Sequence, residues 1–117
     1  MRQPLPLPYH PQKAEGYCLA ACAQMVLHYW GTIADQDKLS GRLGVIAGVG
    51  VPASRITQLA SHQISVIYDV GEWGSLITWL DRGVPVTAMV QAGGLTYWQD
   101  TEFAHAVVVA GYDATHV

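Results

Sequence analysis

Gln12-Lys13-Ala14-Glu15-Gly16-Tyr17-Cys18, followed by Leu19-Ala20-Ala21-Cys22 and closed by Tyr29-Trp30-Gly31, is the stretch on which the reading of this chain turns. From its cysteine onward, Cys18, Ala21, Cys22, Met25, Val26 and Tyr29 recur at three- and four-residue steps, the stripe of an amphipathic helix. Gly31 stands where a helix stop is expected, since glycine enters the left-handed conformation without a Cβ penalty. The spacing predicts a helix over residues 18–30. Cys18 then lies at its N-terminus, where unpaired N–H groups and the macrodipole lower a thiol's pKa, and Cys22 lies one turn inside.

Working outward, residues 1–11 hold four of the six prolines and are expected to form an extended lead-in. On the other side, residues 35–43 read as a shorter helix and the glycine-rich residues 44–52 as a loop. A helix opening at Pro52 or Ala53 and running to Ser61 carries Ile56, Leu59 and Ala60. Residues 64–68 are β-rich. Residues 72–82 return to helix with Trp73, Leu76, Ile77 and Leu80 on one side and Gly83 as the stop. Residues 85–91 read as a strand and 92–103 as a loop. Residues 105–112 are almost all apolar and read as a central strand. Helices first and strands clustered at the end speak for an α+β fold rather than a doubly wound sheet.

With 117 residues the chain is read as one domain, 1–117. Half the residues are apolar and 13% charged, which excludes a disordered chain. A net charge of −3 without a basic cluster gives no footprint for nucleic acid. No apolar run reaches the ~18 residues of a membrane span. The proline-broken N-terminus is no signal peptide, which points to the cytoplasmic side, although no residue fixes the compartment. Two cysteines four apart on a helix suit neither a disulfide nor, with His28 on another face, a zinc site. Gly48-Val49-Gly50 lacks the strand, helix and lysine of a phosphate cradle. No cofactor or metal is expected.

Three residues carry candidate chemistry. Cys18 is a candidate nucleophile. His105, at the start of an apolar strand after a polar loop, can point a neutral imidazole into a cleft, take a thiol proton and return it to a leaving amine. Gln12 can present its amide near the helix end and, with the Cys18 N–H, form a two-donor oxyanion hole. Taken singly, each has a plainer role as core cysteine, strand-end histidine or surface glutamine. Trp30, Trp73 and Trp79 read as core or half-buried packing, and Trp98 as a candidate cleft wall. His10, His28, His62 and His116 have no partner that spacing identifies.

Together the three match a pattern. The quoted segment, with its glutamine six residues before the cysteine and its Ala/Met-rich helix ending in an aromatic-glycine, resembles the opening of C39-like, bacteriocin-leader-processing peptidase domains. Residues 76–86 resemble that family's helix–glycine–strand unit, and residues 105–113, ending in Gly111-Tyr112-Asp113, resemble its histidine strand. The resemblance implies a papain-like cysteine peptidase fold, with an N-terminal catalytic helix packed on a C-terminal antiparallel sheet. It further implies catalysis by Cys18, His105 and Gln12, a peptide or leader-peptide substrate cut after a small-residue pair, and attachment to a transporter or a longer parent chain. Two other readings stay open: a peptide-binding domain that no longer cuts, and a papain-like acyl-transfer enzyme such as a transglutaminase or amidase.

The sequence departs from the pattern in two places. Leu19 stands where the family usually has glycine, and a side chain there would crowd the oxyanion site or narrow the substrates. The second concerns the group that orients the histidine. If 105–112 is one strand, eight steps at ~3.3 Å put Asp113 about 26 Å from His105, at its far end. Residues 113–115 read as a turn, residues 115–117 as the start of a strand paired with 110–113, and the resemblance puts the orienting aspartate on that strand around position 121–123. The domain is therefore expected to be truncated at its C-terminal end, with no carboxylate of this chain on the His105 ring and Asp100 as the weaker substitute.

The two thiols give the first test. Iodoacetamide should modify Cys18 well before Cys22, read by mass spectrometry of the digest, and equal labelling would contradict the helix-end assignment.

Overall fold

The computed structural model describes residue 1, residues 3–91 and residues 104–117. The expected loop at 92–103, with Trp98 and Asp100, lies outside the described residues. The first helix, α1, spans Cys18–Tyr29, as its stripe predicts. It stops where Gly31 takes a left-handed φ of 94° and donates to the His28 carbonyl at 2.9 Å.

The stripe understates how α1 is covered. Leu19, Ala20, Ala21, Cys22 and Ala23 are all buried, and five consecutive residues exceed the 3.6 of one turn. This half of α1 has no solvent face. Its three alanines remove the bulk that would hold neighbours away, so elements close in on every side.

The second helix, α2, spans Gln36–Leu43 and begins where Asp35 accepts a hydrogen bond from the Lys38 N–H at 3.1 Å. It ends at Gly44, left-handed at φ 80°. Its buried residues, Gln36, Leu39, Ser40 and Leu43, follow the three- and four-residue spacing of one face. Leu39 and Leu43 join Leu19, Ala20, Cys22 and Ala23 of α1, with Leu59 and Ala106, in one core cluster.

The segment after Pro52 is a 3₁₀ helix, Ala53–Leu59, rather than the α-helix to residue 61 that the apolar spacing suggested. Residues 64–68 form no strand either. Their β-branched character favours extended backbone, but a strand exists only where a partner meets its hydrogen bonds, and Ile67 and Tyr68 are exposed. The third helix, α3, spans Trp73–Asp81 and stops at Gly83, left-handed at φ 80°. The Tyr29 hydroxyl donates to the Gly83 carbonyl at 2.7 Å, tying the end of α1 to the turn after α3.

Two strands, β1 (Val86–Gln91) and β2 (Ala104–Val109), pair antiparallel from Val86↔Val109 to Gln91↔Ala104. Helices and a small antiparallel sheet make a mixed architecture compatible with the α+β expectation. Among the described residues β2 pairs with β1 alone, so its expected central place is not seen. It also ends three residues earlier than residue 112. There the lead-in takes over: the Leu5 N–H donates to the Ala110 carbonyl at 2.7 Å. Pro4, Pro6 and Pro8 have no N–H, so this segment can lend an isolated bond but cannot extend the ladder. A Cβ on Gly111 would meet the Pro4 Cα at 3.0 Å, which fits the close crossing.

Trp79 is half-buried, as expected, but Trp30 and Trp73 are 57% and 49% exposed, which corrects their reading as core or half-buried packing. With Leu76, Trp79, Val86 and Thr87 they line an open, largely apolar hollow of ≈ 950 Å³. An aromatic ring facing an open hollow keeps the exposure that a filled core would remove.

Leu43 is 0% exposed at the centre of the α1–α2 contact. Leu43→Ala should cost about 3 kcal/mol in chemical denaturation, whereas Ile33→Ala, at a residue 78% exposed, should stay within about 0.5 kcal/mol.

Candidate active site

Cys18 is the first residue of α1 and is half-buried. The N-cap residue, Tyr17, provides no side-chain hydrogen bond, and the first turn carries no acidic residue. The N–H groups of that turn have no intrahelical acceptor. Cys22 differs sharply. It is 2% exposed, and its thiol is pushed up to about 12 by burial, with the charge of Cys18 one turn away adding to it. Cys22 is a core thiol.

Leu19, the departure from the family pattern, is buried at 3% within the core cluster. Its side chain belongs to the packing of α1.

The turn that delivers the chain to Cys18 is held by glycines. Gly16 has φ 84°, and a Cβ there would lie 2.7 Å from the Gly50 backbone nitrogen. The Gly48 N–H donates to the Glu15 carbonyl at 2.9 Å, and Ile46 and Gly50 form a bridge that closes the loop on itself. The glycine-rich loop thus serves as a brace against the residues preceding the cysteine. Sequence reading gave it no role. The signal was a glycine two residues before a helix start, together with a second cluster whose size only a close backbone contact explains.

His105 is the second residue of β2, opposite Val90 in the ladder, and half-buried. Burial lowers its pKa below the ordinary 6.5, which keeps the imidazole neutral at pH 7. The next residue, Ala106, is in the core cluster against which Cys18 also packs. The elements bearing Cys18 and His105 are therefore brought together. The Gln12 side chain is not drawn into that contact. It is exposed, and its Nε2 donates to the Ala14 carbonyl at 3.1 Å.

Asp113 closes a turn of its own. Its Oδ1 accepts from the Thr115 and His116 N–H groups at 2.8 and 2.7 Å, and its N–H donates to the His116 carbonyl at 2.8 Å. The chain turns where expected, but residues 115–117 do not begin a strand, because the aspartate side chain takes the His116 N–H that a ladder would need. Three histidines find a partner that spacing did not reveal, one of them His116, whose Nδ1 shares a hydrogen bond with Thr115 Oγ1 at 2.7 Å. His10 Nε2 and His28 Nδ1 share a hydrogen bond of 2.9 Å, joining the lead-in to the last turn of α1. Among the described residues no group of three or more His, Cys, Asp or Glu side chains could hold a metal ion, and no helix is long and apolar enough to cross a membrane.

Cys18 at the start of α1 and the half-buried His105 on β2 thus stand on elements that share one core cluster, with the exposed Gln12 side chain outside it. The chain belongs to the Peptidase_C39-like family, whose model matches residues 4–117, essentially its whole length. Comparison with curated proteins and with solved structures finds no match. The family indicates a peptidase-related function.

The burial of His105 sets a pH dependence. With a folded pKa below the ordinary 6.5, the unfolded chain binds more protons between the two values, so stability falls as pH drops below 6.5. Urea titrations at pH 7 and pH 5 should show wild type losing more stability on acidification than His105→Gln; the reverse order would contradict a desolvated ring.

Proposed function

We propose that this domain is a cysteine peptidase of papain-like fold, acting on an extended peptide, a leader peptide being the substrate class the family suggests. Cys18 Sγ, its proton passed to the His105 ring, attacks the scissile carbonyl carbon. The carbonyl π electrons move onto oxygen, giving an oxyanion met by the Cys18 N–H and the Gln12 amide. Collapse breaks the C–N bond, and the imidazolium protonates the leaving amine. Water, deprotonated by the same imidazole, attacks the thioester and regenerates the thiol.

The observation that carries this reading is the bare first turn of α1, with Cys18 as its first residue, no side-chain cap and no acidic neighbour in the turn. A neutral, partly desolvated imidazole on the adjoining β2 supports it, since a base must be unprotonated to take the thiol proton. The chemistry asks Gln12 to leave the Ala14 carbonyl, a rotation of one exposed side chain that substrate binding can offset.

Hydrolysis of p-nitrophenyl acetate tests the assignment without a known peptide substrate. Wild type should form an acetyl thioester on Cys18 and turn over, and Cys18→Ala should do neither. Gln12→Ala should lower kcat by about 10²-fold with little change in KM. A rate within twofold of wild type would return Gln12 to the surface.

A further inference from the structure

Gln36 opens the buried face of α2 and is itself 2% exposed. Burying an amide among leucines is unfavourable unless its hydrogen bonds are met, and here they are. Its Oε1 accepts from the Lys13 N–H at 2.7 Å. Its Nε2 donates to the Pro11 carbonyl at 3.1 Å and to Gln24 Oε1 at 2.9 Å. Gln24, on α1, donates in turn to the Ala34 carbonyl at 3.0 Å. The sense of the Gln36 amide is fixed by these partners. Turned over, it would set N–H against the Lys13 N–H and oxygen against two acceptors. The two main-chain groups it holds belong to Pro11 and Lys13, one on each side of Gln12. From outside, the Lys13 ammonium pairs with the carboxylate of Asp37, so the same short segment is tied to the first turn of α2 twice.

We infer that Gln36 is the positioning residue for Gln12. It fixes the main chain from which the Gln12 amide would swing to the first turn of α1. The inference rests on the reading of Gln12 as an oxyanion donor. The Gln12 side chain is exposed and bonded to the Ala14 carbonyl, so any approach of its amide to Cys18 starts from the place of its backbone. Gln36 does not touch the reacting atoms. It acts by removing the freedom of residues 11–13, and Gln24 locks it to α1, the helix that carries Cys18. Donor and nucleophile are thereby referred to one rigid frame. An error of about 1 Å in a donor's place is enough to lower a rate about 10²-fold.

Two probes separate positioning from general damage. Iodoacetamide alkylates a thiolate by displacement at a saturated carbon and forms no oxyanion, whereas p-nitrophenyl acetate acylates through one. Gln36→Met, which keeps length and volume, should slow acylation of the intact protein about tenfold or more while alkylation of Cys18 stays within about twofold of wild type. In a Gln12→Ala background the same substitution should no longer affect acylation, because the residue it acts through is gone. Should Gln36→Met not fold, Gln36→Glu keeps the shape and the acceptor for Lys13 but loses the donor to Pro11. Its acylation deficit against wild type at the same pH should shrink as acid returns a proton to the carboxyl. Parallel loss in both probes, or an equal effect with and without Gln12, would make Gln36 a structural residue and overturn the inference. Gln12 dependence alongside an unaffected Gln36→Met would overturn it alone. Acylation indifferent to Gln12→Ala would overturn the oxyanion reading, and the inference with it.

Discussion

The enclosure of the first half of α1 is the constraint on which the rest of this structure depends. With Leu19 to Ala23 all buried, α1 must be met from every direction at once, by α2, by the 3₁₀ segment at Leu59 and by β2 at Ala106. Alanines at 20, 21 and 23 make this close approach feasible. The same arrangement decides where chemistry can occur. A helix sealed along its flanks offers its polar groups only at its ends, and the N-terminal end is where the backbone N–H groups are still unpaired. Cys18 stands at that end and Cys22 four residues into the sealed part. The contrast between two identical side chains thus follows from one packing fact. One stays at the rim, and the other is held as a thiol by the absence of water.

Around that end the chain is fixed by polar contacts rather than apolar ones. Apolar packing resists separation but tolerates sliding, whereas hydrogen bonds fix direction as well as distance. The approach to Cys18 uses both a steric and a polar device: Gly16 against Gly50, where no side chain fits, and the Gln36 amide against Pro11 and Lys13. Each draws on an element remote in sequence, the glycine loop for one and α2 for the other. Since α2 also packs its leucines on α1, the frame that holds the lead-in is the frame that holds the cysteine.

The open apolar hollow between α1, α3 and β1 is separate from this polar work. Its lining includes Leu19 and Ala23 but none of Cys18, Gln12 and His105. The two faces of α1 therefore do different things. One packs on α2, where Leu39 and Leu43 join the core cluster. The other borders a space that half-exposed tryptophans line, which accounts for large aromatic residues at 30 and 73 that remain in contact with water.

By itself the sequence determined α1, α2 and α3 to within a residue or two at each end, because these rest on local physics: apolar spacing in α1 and α3, and glycines at 31 and 83 free to turn left-handed. It placed strands at 85–91 and 105–112, close to the observed 86–91 and 104–109, and, by resemblance, the family, but not which strand pairs with which. Tertiary structure decided what local preference could not. Residues 64–68 have strand propensity and no strand, because pairing needs a partner that propensity does not supply. The ladder of β2 stops at Val109, where a proline-rich segment arrives from the other end of the chain with only isolated donors to offer. Gln36 is a polar residue on the buried face of α2, and only the arrival of Pro11 and Lys13 beside it makes an amide the residue that fits. Where an outcome depends on which distant backbone groups end up needing a partner, composition and spacing are silent, since those groups are the same in every residue and only the fold tells them apart.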